Sequence, residues 1–183
     1  MRYHNITTAD MNNGDGLRTV LWLSGCEHCC EDCQNPITWD PNVGLPFDIE
    51  AKRELFSKLT QDYISGLTLS GGDPMFMGNR MEVTELAKEV KEAFPNKTIW
   101  MYTGYYYEAI KDCEIMQYID VLVDGPFEKD KKDNTLCWVG SENQRVINMQ
   151  KTKEQGEIVL HITPHVDTDL IEKVEERNKQ CRR

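Results

Sequence analysis

Hydrophobic residues recur along this chain in two alternating rhythms. Short β-branched and aromatic runs fall at 17–23, 66–70, 98–103 and 120–124, each followed directly by a glycine-containing turn. Runs of that length and composition, bounded by turn residues, predict strands. Between them the spacing changes to 3.6. Leu55 and Leu59 share one face of a helix predicted over 49–59, with Asp48 placed to cap it. Val83, Leu86, Val90, Ala93 and Phe94 fall at helical spacing within 82–94, and Pro95 stops that helix. A short helix is predicted around 107–110. This alternation predicts βα units around a parallel sheet. Residues 1–16 are polar and end in the turn signal Asn13-Gly14-Asp15-Gly16. Beyond the polar stretch 127–145, two further short strands are predicted at 145–149 and 157–161, about a turn at Gly156. An exposed charged helix is predicted over 167–180.

Composition narrows the picture. A chain of 183 residues is expected to form a single domain, 1–183, with 163–183 as a helical tail. The formal net charge of −10 argues against broad binding to a phosphate backbone, so no nucleic-acid partner is expected. No apolar run approaches the ~20 residues that span a bilayer, and no membrane association is expected. Residues 1–5 lack the apolar core of a signal peptide. Seven cysteines, an odd number, do not read as a secreted disulfide framework. The expected compartment is the cytoplasm.

Four of those cysteines lie in Cys26-Glu27-His28-Cys29-Cys30-Glu31-Asp32-Cys33. Two triplets are possible, Cys26-x3-Cys30-x2-Cys33 and Cys26-x2-Cys29-x3-Cys33. A structural zinc site would need four converging ligands, and adjacent Cys29 and Cys30 can hardly both contribute. Three thiolates in so short a loop suit an iron–sulfur cluster, whose usual fourth cysteine is then missing. Cys113, Cys137 and Cys181 lie far away in sequence. One iron would stay open to an exogenous ligand.

Cys26-x3-Cys30-x2-Cys33 resembles the cluster motif of radical S-adenosylmethionine (SAM) enzymes. The flanks Leu23-Ser24-Gly25 and Gln34-Asn35-Pro36-Ile37-Thr38-Trp39 resemble, within them, the activating proteins of anaerobic (class III) ribonucleoside-triphosphate reductases. Gly71-Gly72-Asp73-Pro74, Met101-Tyr102-Thr103-Gly104-Tyr105, Val123-Asp124-Gly125 and Gly140-Ser141-Glu142-Asn143-Gln144-Arg145 match the same family in order. Gly14-Asp15-Gly16-Leu17-Arg18 resembles the Gly-x-Gly-x-Arg stretch that opens several glycyl-radical activases.

The resemblance implies an open partial (β/α) barrel of about six parallel strands, with the cluster at the strands' C-terminal mouth. It implies that Cys26, Cys30 and Cys33 hold a [4Fe–4S] cluster, with Cys29 a bystander. SAM would be bound by Asp32, Cys33, Gln34, Gly71, Gly72, Asp73 and Thr103, Gly72 lying against its methionine end. Asp32 stands where the superfamily usually has an aromatic residue. Asp124 would orient SAM or a monovalent cation, and His28 would bond a cluster sulfur. The implied activity is reductive cleavage of SAM by an electron from flavodoxin or ferredoxin, then formation of a glycyl radical on the reductase. The alternatives are an activase of another glycyl-radical enzyme such as pyruvate formate-lyase, a small-molecule radical SAM enzyme, or an iron–sulfur carrier or regulator without SAM chemistry.

Overall fold

The computed structural model describes residues 1–162. The predicted tail at 163–183, with the helix over 167–180 and Cys181, lies outside them. Seven strands form one open, mixed sheet: β1 (Arg2–Asp10), β2 (Leu17–Leu23), β3 (Leu45–Pro46), β4 (Ile64–Gly71), β5 (Thr98–Tyr102), β6 (Val121–Asp124) and β7 (Arg145–Asn148). Their spatial order is β3-β1-β2-β4-β5-β6-β7. The middle four, β2, β4, β5 and β6, are mutually parallel, while β1, β3 and β7 pair antiparallel at the edges. The expected six parallel strands are therefore four.

Two predicted elements change. The polar N-terminus is a strand, β1, held between β2 and β3 although only Tyr3 and Ile6 reach the core. Residues 157–161 form no strand; only Leu160 makes an isolated bridge, to Ile147. A helix precedes them instead, Met149–Gln155. Asn148 caps its start by accepting the Lys151 N–H at 2.9 Å, and Gly156 ends it in the left-handed conformation (φ 73°).

The long helices, α1 (Ile49–Leu59) and α2 (Arg80–Ala93), lie where the periodicity put them. Asp48 caps α1 by accepting the N–H groups of Glu50 and Ala51 at 3.1 and 3.0 Å. Leu55 and Leu59 are buried, as are Val83, Leu86 and Val90; Ala93 is exposed, and Phe94 caps the end of α2 against Phe56. Strand alternation then divides the sheet. Leu21, Leu23, Leu67, Leu69, Ile99, Met101 and Leu122 join α1 and α2 in one apolar core. The intervening Trp100, Val121 and Val123 form a smaller cluster with Tyr102, Trp138, Val139 and Val146.

Arg18 is fully buried beside Trp100, its guanidinium 5.5 Å from that ring. It donates to Thr68 Oγ1, Thr98 Oγ1 and the carbonyls of Asp15, Leu67 and Thr98 at 2.6–3.1 Å. Burial lowers its pKa to about 10. The buried charge persists because every donor direction meets an oxygen. Arg18 thereby ties the loop before β2 to β4 and β5.

Candidate functional site

Parallel strands deliver their following loops to one edge of a sheet, where α/β folds gather their chemistry. Here the loops after β2, β4, β5 and β6 together line an open cavity of about 380 Å³. The register aligns Leu23 with Gly71, and pairing continues past the strand ends. Gly72 donates to the Leu23 carbonyl at 2.8 Å and Asp73 to the Gly25 carbonyl at 2.7 Å. The glycine turn is thus zipped to the root of the cysteine loop. Gly71 has φ 99°, and a Cβ there would meet the Leu23 backbone at 2.7 Å, so this close approach requires glycine.

Cys26, Cys30 and Cys33 line the cavity with Gln34, Gly71, Gly72, Asp73 and Thr103. Eight of the nine expected site residues are therefore brought together. The ninth, Asp32, does not line the cavity. Its φ is 56° and its carboxylate lies 3.1 Å from Lys129, which also bonds Glu31 at 2.7 Å. Cys29, likewise at positive φ (47°), is exposed and off the cavity. Among the described residues no fourth cysteine lines it; Cys113 packs against the helix-side core and Cys137 is exposed.

Each of the three sulfurs meets a backbone N–H: His28 for Cys26, Phe127 for Cys30, and Asn35 for Cys33 at 3.3 Å. Burial nevertheless pushes the Cys26 thiol up to about 11 and raises that of Cys30. No Lys or Arg lines the cavity to offset thiolate charge. A cationic metal group would supply that charge and release the protons, so the donor set fits one. Among the described residues no three His, Cys, Asp or Glu side chains converge on a single ion.

Asp73 is the hub of the site. It is buried and accepts from Met75 N at 2.7 Å, Thr103 Oγ1 at 2.9 and 3.0 Å, Gly104 N at 3.0 Å and His28 Nε2 at 2.7 Å. That last bond raises the His28 pKa, against the opposing effect of burial. The His28 ring also packs on Gly104 and Tyr105, whose hydroxyl bonds Glu27. His28 thus clasps the cysteine loop to the turns after β4 and β5. The Thr103 hydroxyl is likewise engaged internally. A Cβ on Gly72 would meet the Gly25 carbonyl at 2.5 Å rather than the cavity interior, so this glycine serves loop–loop packing.

Asp124 does not line the cavity. It is fully buried, receives Arg145 Nε at 2.9 Å and a second guanidinium nitrogen, and accepts the Tyr107 N–H at 2.7 Å. The Asp124 carboxylate is thus engaged by Arg145. The stretch from Gly140 to Arg145, for which the sequence alone suggested no chemistry, closes the loop between β6 and β7. Gln144 accepts from Gly140 N at 2.9 Å and donates to the Gly125 carbonyl at 3.0 Å. Asn143 donates to the Pro126 carbonyl at 2.7 Å, and Ser141 accepts the Glu128 N–H at 3.1 Å. This strap forms the far wall of the cavity through Phe127, Leu136, Trp138, Val139 and Gly140. Trp22, Ser70 and Tyr102, which sequence reasoning did not assign to the site, line its floor; their strand alternation away from Leu21, Leu69 and Met101 was the available signal.

Residues 12–147 match the model of a 4Fe-4S single cluster domain. The chain is similar to the anaerobic ribonucleoside-triphosphate reductase-activating protein of Enterobacteria phage T4, 46% identical over 146 residues, covering 80% of this chain and 93% of that one. The protein of the same description from Pasteurella multocida is 41% identical over 150 residues (79% and 95%), and that from Escherichia coli 37% over 154 residues (82% and 100%). With a cluster-domain match across the whole site and relatives at this identity along nearly their full length, the chain belongs to the anaerobic ribonucleoside-triphosphate reductase-activating protein family.

Proposed function

We propose that this protein is a radical SAM activase that installs a glycyl radical on an anaerobic ribonucleoside-triphosphate reductase. The observation that carries it is the meeting, in one cavity, of three thiols and the glycine turn zipped to their loop. In this reading the open sheet is a single-domain partial (β/α) barrel. Cys26, Cys30 and Cys33 hold a [4Fe–4S] cluster, leaving one iron without a protein ligand. With SAM bound there and one electron from a flavodoxin or ferredoxin, the cluster would reduce the sulfonium, whose C5′–S bond would break to methionine and a 5′-deoxyadenosyl radical able to remove a hydrogen atom from glycine.

The chain's own residues do the positioning. Backbone N–H groups at His28, Phe127 and Asn35 face the three sulfurs, and those at His28 and Phe127 favour the thiolate forms of Cys26 and Cys30. Gly71, Gly72 and Gln34 offer backbone and amide groups to the methionine end of SAM. Asp73 acts through His28, Thr103 and Gly104, keeping three loops in register rather than reaching for the ligand. Asp32 belongs to the strap contact with Lys129 and is not assigned to SAM. The cytoplasm supplies the reducing setting that such thiols need.

The test is anaerobic. The reconstituted protein, mixed with reductant, SAM and the cognate reductase, should give a glycyl-radical signal by electron paramagnetic resonance. A reductase with its radical-site glycine changed to alanine should give none. Activation of a formate-lyase-type enzyme in place of the reductase would move the substrate assignment and leave the cofactors.

A further inference from the structure

The strap between β6 and β7 grips the second half of the cysteine loop. Its root is braced: Asn143 donates to the Pro126 carbonyl at 2.7 Å, the Glu128 N–H to Ser141 Oγ at 3.1 Å and the Glu142 N–H to the Lys131 carbonyl at 3.0 Å. From this brace Phe127 and Lys129 both reach the turn Cys30-Glu31-Asp32-Cys33. The Phe127 N–H meets the Cys30 sulfur. The Lys129 ammonium meets Glu31 at 2.7 Å and Asp32 at 3.1 Å.

The turn gains from being held. It closes through a bond from the Cys33 N–H to the Cys30 carbonyl at 3.1 Å, with Asp32 at φ 56°. A residue with a side chain disfavours that left-handed conformation and keeps it where its neighbours impose it. An isolated exposed ion pair would impose little. Here one ammonium spans two adjacent carboxylates, and both partners sit on closed turns. Among the described residues Lys129 is also the only lysine or arginine paired with an acid of the cysteine loop, and none lines the cavity. A hydrogen bond to a ligand sulfur and a nearby positive charge each favour the reduced, more negative state of an iron–sulfur cluster, and so raise its potential.

We propose that Lys129 is a positioning residue for the cluster: by holding Glu31 and Asp32 it keeps the Phe127 N–H on the Cys30 sulfur, and so sets the potential at which the cluster accepts an electron. The inference deepens the activase reading and rests on the part of it that places Cys30 on a [4Fe–4S] cluster.

The test is an anaerobic redox titration of the reconstituted protein without SAM, followed by visible absorbance and by the paramagnetic resonance of the reduced cluster. Lys129→Met should lower the midpoint, leaving the reduced-to-oxidised ratio at a fixed applied potential about tenfold below that of the wild type, with iron content unchanged. Lys129→Arg, which can still span both carboxylates, should restore it. The double variant Glu31→Ala/Asp32→Ala separates positioning from charge. Removing two nearby negative charges raises the potential if charge alone matters, whereas freeing the turn from Lys129 lowers it. A fall in the double variant supports the inference; a rise there, or an unchanged midpoint in Lys129→Met, overturns it. A wild-type protein that forms the glycyl radical while Lys129→Met keeps its midpoint sinks this inference and leaves the activase standing. A Lys129-dependent midpoint in a protein that binds no SAM does the reverse.

Discussion

The two faces of the sheet obey different rules. Toward α1 and α2 the strands present Leu21, Leu23, Leu67, Leu69, Ile99, Met101 and Leu122, all at 0% exposure and all apolar. Toward the other side, the same strands present Arg18, Trp22, Thr68, Ser70, Trp100 and Tyr102. The first face is held by area removed from water, which is non-directional and tolerates exchange of similar residues. The second is held by directional bonds at Arg18, and above it at Asp73, that connect residues far apart in sequence. One face carries stability and the other arranges chemistry, so substitutions should separate the two properties.

The sharpest separation is at the thiols. Cys26→Ala, Cys30→Ala or Cys33→Ala should abolish the cluster and the glycyl radical, because each removes one of the thiols that face the cavity. Cys29→Ala should keep both, its side chain being exposed. Iron content after anaerobic reconstitution decides; loss of iron in Cys29→Ala equal to that in Cys30→Ala would break the comparison at its strongest point. Next is Gly72→Val. The new side chain would collide with the Gly25 backbone, so it should weaken iron retention as well as SAM affinity. A variant with a full cluster and poor SAM binding would instead turn Gly72 toward the ligand.

A third pair of substitutions compares the faces directly. Leu69→Ala, on the helix side, should cost about 3 kcal/mol of stability in urea unfolding of the cluster-free protein. The three thiols should still take up iron. Arg18→Met should cost about as much, because it leaves buried acceptors unmet at Leu67, Thr68 and Thr98. It should also loosen the loop at Asp15 that carries Asn12 and Asn13, and so weaken ligand binding. Equal effects of both variants on iron and ligand would remove the functional division.

The helix-side face was legible because its signals are local. A cap at Asp48, a stop at Pro95 and the spacing of Val83, Leu86 and Val90 each act within a few residues. The missed helix at Met149–Gln155 had comparable signals in Asn148 and Gly156, but the flanking Val146, Ile147, Val159 and Leu160 suggested strands more strongly. β1 was not legible, since its strand state comes from pairing on both sides rather than from its own polar sequence. The cysteine and glycine motifs located the cavity. What they could not give was the partner of each polar group. Asp73 and His28 are 45 residues apart, and Arg145 and Asp124 are 21 apart. Such bonds exist only once the parallel strands bring their ends level.

The smallest expected effect tests whether the clasp between His28 and Asp73 stabilises the protein without any cofactor. The hydrogen bond to Asp73 is the largest influence on His28 and raises its pKa above the ordinary value of about 6.5. A group whose pKa is higher folded than unfolded stabilises the fold fully below its unfolded value, and that contribution fades as pH rises through the folded value. The cluster-free protein should therefore be most stable, as regards this pair, below pH about 6.5, and should lose that increment as the solution becomes alkaline. Because the ring is partly exposed, solvent screening keeps the increment below about 1 kcal/mol. Urea midpoints measured across this range should fall for the wild type and stay flatter for His28→Asn, which keeps a donor but cannot titrate. If His28→Asn retains the full dependence, the clasp with Asp73 is not its source and the mouth of the inner face gains no stability from it.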